Sequence, residues 1–82
     1  MIGLDTSFLV GLTIREHPAH AACLELFQSH IRGIESSVAI CAQILGEFAH
    51  VVTDPRRFSQ PLDIADALAI CGQWWHAVEC RI

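Results

Sequence analysis

The chain begins with Met1-Ile2-Gly3-Leu4-Asp5-Thr6-Ser7-Phe8-Leu9-Val10, in which a short apolar run leads into a polar triplet and then into an amphipathic segment. The apolar run predicts a short buried strand, and the polar triplet 5–7 has the side chains that cap helices. Open α/β sheets bind ligands beyond the carboxyl ends of their strands. Asp5 stands at such an end with no arginine or lysine near it in sequence, so it is either a site carboxylate or a helix cap.

Apolar spacing and turn residues predict an alternation of strands and helices along the rest of the chain. The predicted elements are strands at 2–4, 37–40 and 78–82, and helices at 7–14, 19–31, 41–53 and 62–75. Thr6 or Ser7 is expected to cap the first helix, and Pro18 and Pro61 to open the second and the fourth. This order predicts one α/β domain over residues 1–82, a three-layer fold in which a parallel sheet is flanked by helices on both faces and is incomplete at its C-terminal end.

Composition restricts the partners that such a domain can have. The chain is 52% hydrophobic and carries a net charge of −4, with five arginines and no lysine, so it lacks the basic stripe of a non-specific nucleic-acid binder. Its four cysteines form no C-x-x-C pair, which is typical of reduced cytosolic proteins. No apolar run approaches the roughly 18 residues of a membrane span. We therefore expect a soluble, cytoplasmic protein that does not bind membranes and acts on nucleic acid only through bound metal.

Glu47 is the second carboxylate that stands out. It lies in the most periodic segment of the chain, beside Phe48 and at the edge of the apolar stripe. Asp5 and Glu47 are 42 residues apart in sequence (47 minus 5). Two carboxylates about 5 Å apart repel by roughly 3 kcal/mol at an effective dielectric constant of about 20, so such a pair needs a proton or a cation. Oxygen ligands favour Mg²⁺ or Mn²⁺. The alternative is a solvated helix residue at the rim of the core.

Two stretches of the chain together resemble PIN domains. Ile2–Val10 resembles the first strand and first acidic residue of these domains, and Ile44–Phe58 is similar to the helix that carries their second acidic residue and to the loop after it. The closest resemblance is to VapC-type toxins, the ribonuclease half of toxin–antitoxin pairs. The match covers all of this chain but only about the first two-thirds of such a domain.

The resemblance implies a Mg²⁺- or Mn²⁺-dependent ribonuclease that hydrolyses the phosphodiester bonds of RNA and has a cognate antitoxin as its protein partner. It places the first acid on Asp5 and the second on Glu47, as catalytic residues and metal ligands, and Thr6 and Ser7 at a polar position that supports the first acid. The family's later acids would follow Ile82. The rival hypothesis is a non-catalytic remnant that keeps a dimerisation or antitoxin-binding surface, and a small binding module without metal is a third.

Other side chains offer weaker hypotheses. Glu47 and His50 have the E-x-x-H spacing that occurs in carboxylate di-metal bundles, but only one copy is present. His17, His20 and Cys23 are each three residues apart, a spacing that turns around a helix and does not converge as a zinc site would.

Two further surfaces suggest partners. Arg56 and Arg57 could contact RNA phosphate or form a solvated loop. The terminal strand 78–82 presents an apolar face, which is an association hazard when it is left uncovered. We therefore expect a homo-oligomer, most simply a two-fold dimer, with Trp74, Trp75 and the terminal strand near the contact.

Overall fold

Seven elements follow one another in the predicted order. The computed structural model describes all of residues 1–82. Its elements are β1 (Ile2–Gly3), α1 (Thr6–Thr13), α2 (His20–His30), β2 (Val38–Ala39), α3 (Ala42–Val52), α4 (Ile64–His76) and β3 (Cys80–Arg81). Each strand keeps only two residues in the ladder, fewer than the strand predictions gave. None of the four helices combines the length and the apolar content that crossing a bilayer requires.

The three strands form one parallel sheet in the order β1-β2-β3, in which Val38 pairs with Ile2 on one side and with Cys80 on the other. The prediction of an α/β fold with a parallel sheet is confirmed. The two crossovers step in the same direction, and α1 of the first packs against α3 of the second, so the helices lie on one face of the sheet. Burial agrees, because Val38 faces the helices and is fully buried while Gly3 and Arg81, on the opposite face, are exposed. The prediction of a three-layer fold with helices on both faces is therefore wrong.

The core lies between this sheet and the helical layer. Its largest fully buried side chains are Phe48, Leu9, Ile31, Val38 and Val52. Helix α1 is central, since it packs against both α2 and α3, while α4 packs against α3 and β3. A Cβ on Gly11 of α1 would lie only 2.8 Å from the Cys23 sulfur, so glycine at this position lets α1 and α2 approach closely.

Asp5 is the N-cap of α1. Its Oδ1 atom accepts a hydrogen bond from the Phe8 backbone N–H at 2.9 Å. The prediction that Thr6 or Ser7 caps this helix is wrong, because both residues already have helical backbone once Asp5 satisfies the first turn. The strand therefore passes into the helix within two residues, which fixes Asp5 at the carboxyl end of β1.

The second and fourth helices begin later than the prolines predict. Helix α2 starts at His20 and α4 at Ile64, so Pro18 and Pro61 lie in the preceding turns. At α4, the Asp63 carboxylate accepts a hydrogen bond at 2.8 Å from the backbone N–H three residues further on. That bond makes Asp63 the N-cap, and the two residues before it belong to the loop.

Candidate functional site

Asp5 and Glu47 belong to two elements that meet at the carboxyl end of β1. Asp5 follows the strand closely, and Glu47 lies in the middle of α3. The Thr6 hydroxyl Oγ1 donates a hydrogen bond to Glu47 Oε2 at 2.8 Å, across 41 residues of sequence. Because Thr6 is the next residue after Asp5, this bond holds the Glu47 carboxylate beside the strand tip.

The rotation of α3 directs Glu47 to this place. The helix buries Leu45, Phe48, Ala49 and Val52 against the core. Glu47 is exposed, but its neighbours on the helix surface, Ile44 and Val51, are half-buried against the core, so it lies on the flank of the helix. This flank faces the start of α1, as its hydrogen bond with Thr6 requires.

The helix-cap interpretation of Asp5 is confirmed, and the site-carboxylate interpretation stays a prediction. The Asp5 Oδ1 atom caps α1, and Oδ2 takes no hydrogen bond within the chain. The ion pairs of the chain join Arg56 and Arg57 to Asp54, so no arginine pairs with Asp5 or Glu47. Asp5 and Glu47 are therefore exposed carboxylates without an arginine partner, and the Thr6 hydrogen bond links the two segments that carry them.

Thr6 supports the second acid and not the first. The resemblance implies that Thr6 and Ser7 assist Asp5, but the Thr6 hydroxyl donates to Glu47 and the Ser7 side chain lines a neighbouring pocket. The reason is the capping geometry, which turns the Asp5 carboxylate along the first turn of α1 towards Phe8 while Thr6 faces α3. Thr6 thus positions Glu47.

The donor atoms at the strand tip suit a hard cation. Asp5 and Glu47 offer carboxylate oxygens and Thr6 a hydroxyl oxygen, which are the ligand types that Mg²⁺ and Mn²⁺ prefer. No group of three or more His, Cys, Asp or Glu side chains converges anywhere in the chain. Mg²⁺ usually keeps several waters and takes one or two carboxylates, so the residues present fit a hydrated ion held by Asp5 and Glu47.

Two acids that are distant from Asp5 in sequence, Glu16 and Glu79, have structural partners. Glu16 accepts hydrogen bonds from the Ser59 hydroxyl at 2.7 Å and from the Gln60 N–H at 3.1 Å, and these bonds lower the pKa of Glu16. Glu79 accepts the Gly33 N–H at 2.9 Å, which lowers the pKa of Glu79. These bonds join segments that are distant in sequence, so both carboxylates have a structural role away from Asp5 and Glu47.

The Asp54 carboxylate also has structural partners, and they lie in its own loop. The side chain and the backbone N–H of Arg56 hydrogen-bond to the Asp54 carboxylate and hold its pKa below the usual value. Arg57 also approaches it, with Nε 3.5 Å from Asp54 Oδ2. Although the two arginines share this partner, only Arg57 lines the pocket beside Thr6.

The histidines considered as ligands contact the backbone or solvent. His17 Nδ1 accepts the Ala19 N–H at 3.0 Å, and His20 Nδ1 donates to the Gly11 carbonyl oxygen at 2.9 Å. These bonds fasten the turn between α1 and α2. His50 is exposed on α3.

No protein-family model matches the chain, and no curated protein matches it either. The resemblance to PIN domains therefore rests on the two stretches of sequence that carry it. The assignment of a function rests on the geometry at the strand tip.

Proposed function

We propose that this chain carries the first two acids of a PIN-domain ribonuclease of the VapC toxin type, which hydrolyses RNA with the aid of Mg²⁺ or Mn²⁺. The observation that carries the proposal is the 2.8 Å hydrogen bond from Thr6 to Glu47, since it joins the second acid to the strand tip that bears Asp5. Asp5 and Glu47 would hold the hydrated ion. When bound, such an ion makes a coordinated water more acidic and neutralises phosphate charge.

The residues of the chain have separate roles in this proposal. The Thr6 hydroxyl occupies Glu47 Oε2, and Glu47 Oε1 would be the oxygen that holds the ion. The N–H of Phe8 occupies Asp5 Oδ1 and leaves Oδ2 for the same purpose. Both carboxylates are thereby fixed before metal binds, which reduces the entropic cost of assembling the site. An antitoxin is the proposed protein partner.

Metal binding and cleavage test the proposal together. Two carboxylates provide few ligands, so calorimetric titration of Mn²⁺ should give a dissociation constant on the order of millimolar. Single-stranded RNA should be cleaved with Mn²⁺ and left intact with EDTA. Cleavage that is equally fast in EDTA would contradict the proposal. Mn²⁺ binding that is lost in His50→Ala but kept in Asp5→Asn would assign the metal to the E-x-x-H pair instead.

The second candidate function is a non-catalytic dimerisation module, favoured by the outer face of α4. Ile64, Leu68 and Trp75 lie on one side of this helix and are 58%, 57% and 50% exposed. Trp74 is half-buried and packs edge-on against Phe27, with ring centroids 6.1 Å apart, so of the two tryptophans only Trp75 offers much of its surface to another molecule. We propose that a second copy of the chain covers this face.

Leu68→Lys should convert a dimer into a monomer, because it places a charge in the centre of the apolar face of α4. Sedimentation equilibrium at micromolar concentrations measures the change. The matched control is Leu26→Lys, since Leu26 is 39% exposed but lies on α2. Wild-type protein that is monomeric throughout this range, or equal dissociation by the control, would exclude the α4 dimer.

A further inference from the structure

An open pocket of about 450 Å³ lies next to Thr6, the residue that follows Asp5. Its volume is within the usual range of small-molecule sites, roughly 300–1,000 Å³. Thr6 lines the pocket and also donates its hydroxyl hydrogen to Glu47. Val51, another lining residue, lies one helical turn after Glu47 on α3. A chain molecule that crosses the acids would therefore extend into this pocket.

The polar part of the pocket favours an anion. Thr6, Ser7, His17 and Arg57 contribute two hydroxyls, an imidazole and a guanidinium, and no carboxylate is among the lining residues. Arg57 uses Nε towards Asp54 at 3.5 Å, and its side chain is 60% exposed, so its terminal nitrogens are available to a ligand. Guanidinium groups bind phosphate through such paired donors.

His17 adds a donor in its neutral form. Its Nδ1 atom accepts the Ala19 N–H at 3.0 Å, so the ring hydrogen of the neutral imidazole is on Nε2. His17 can then donate to a phosphate oxygen without first binding a proton. The hydrogen bond fixes this tautomer, because only a ring nitrogen without a hydrogen can accept the Ala19 N–H.

The remaining part of the pocket is apolar and includes an aromatic ring. Phe58 is half-buried and lines the pocket together with Val51. Single-stranded nucleic acids place unstacked bases on such rings. The pocket therefore combines hydrogen-bond donors that suit a phosphate with an aromatic ring that suits a base, and a nucleotide has both groups.

We infer that this pocket binds one nucleotide of a single-stranded RNA, with its phosphate at Arg57 and His17 and its base against Phe58. The inference rests on the proposed function, because it makes the pocket a subsite next to the position where the strand is cut. It would also let an acidic chain hold RNA without a basic stripe, since the Arg57 guanidinium and the His17 N–H would bind one phosphate.

The test measures binding of a 2′-O-methyl oligoribonucleotide, which resists cleavage, by fluorescence anisotropy in EDTA. Arg57→Gln should weaken binding about tenfold, the effect of losing one charge-assisted pair of hydrogen bonds to phosphate. Arg56→Gln is the matched control, because Arg56 is the adjacent residue, pairs with the same Asp54 at 3.2 Å and lies outside the pocket. It should change affinity less than twofold.

Several outcomes separate this inference from the proposed function. Equal losses in the two arginine variants, or no oligonucleotide binding by the wild type, would overturn the subsite. If Arg57→Gln alone weakens binding and RNA is never cleaved, the subsite stands and the ribonuclease proposal fails. If RNA is cleaved with Mn²⁺ but Arg57→Gln leaves both KM and oligonucleotide affinity unchanged, the ribonuclease proposal stands and the subsite fails.

Discussion

Asp5→Asn should lower Mn²⁺-dependent RNA hydrolysis at least about 100-fold, because coordination to a metal ion contributes several kcal/mol to catalysis. Asparagine keeps an oxygen at the position of Oδ1, which accepts the Phe8 N–H at 2.9 Å. Asparagine is also as good an N-cap as aspartate, so α1 should remain intact. The substitution therefore removes the negative charge and leaves the fold. Initial rates on a single-stranded RNA substrate measure the effect.

Asp63→Asn is the matched control for this prediction. Asp63 caps α4 by the same kind of bond, at 2.8 Å, and the substitution has the same chemistry, but α4 does not contribute to the strand tip. Its rate should equal that of the wild type. Asp5→Asn with a wild-type rate, or an equal loss in Asp63→Asn, would remove Asp5 from the site.

Thr6→Val tests the positioning of Glu47 separately from the binding of metal by Asp5 and Glu47. It is nearly isosteric and removes only the hydroxyl that donates to Glu47 Oε2. Loss of such an outer contact costs roughly 10- to 100-fold in metal affinity or activity, so this variant should lie between the wild type and Asp5→Asn. Glu47→Gln should be as inactive as Asp5→Asn.

The order of elements and the strand-tip position of Asp5 could be predicted from the sequence because both depend on local patterns. Apolar spacing along α3 is regular enough to place Glu47 at the edge of the buried face, and the structure agrees. The helix starts were less predictable. Proline and hydroxyl residues compete with aspartate for the same positions, and at α1 and α4 the aspartate side chain forms the cap.

The contacts that build the pocket could not be predicted, because they join segments that are distant in sequence. Glu16 meets Ser59 across 43 residues, and this bond brings the loop with Arg57 towards the turn with His17. Neither segment carries a local signal for the other. The partner of Thr6 could not be predicted either. The resemblance implies that Thr6 supports Asp5, but its hydroxyl donates to Glu47, 41 residues away.

Phe48→Ala should reduce the free energy of unfolding by about 3–5 kcal/mol, the usual cost of removing a large buried aromatic side chain. Phe48 is fully buried at the centre of α3 and is one of the largest side chains in the core. Domains gain roughly 0.05–0.15 kcal/mol of stability per residue, so a chain this short has little to spare. The variant should be largely unfolded or unfold at a much lower urea concentration.

Phe27→Ala provides the comparison, because Phe27 is only half-buried and packs against Trp74 at the margin of the core. Phe27→Ala should reduce the free energy of unfolding by less than half as much as Phe48→Ala. The slope of the unfolding free energy against urea concentration should not change. The two values compare the helices, because α3 packs along both α1 and α4, whereas α2 packs along α1 and meets α4 at the contact between Phe27 and Trp74. A larger loss at Phe27 than at Phe48 would mean that α2 and not α3 organises the core, and Glu47 would then lose the rigid support on which its place beside Asp5 depends.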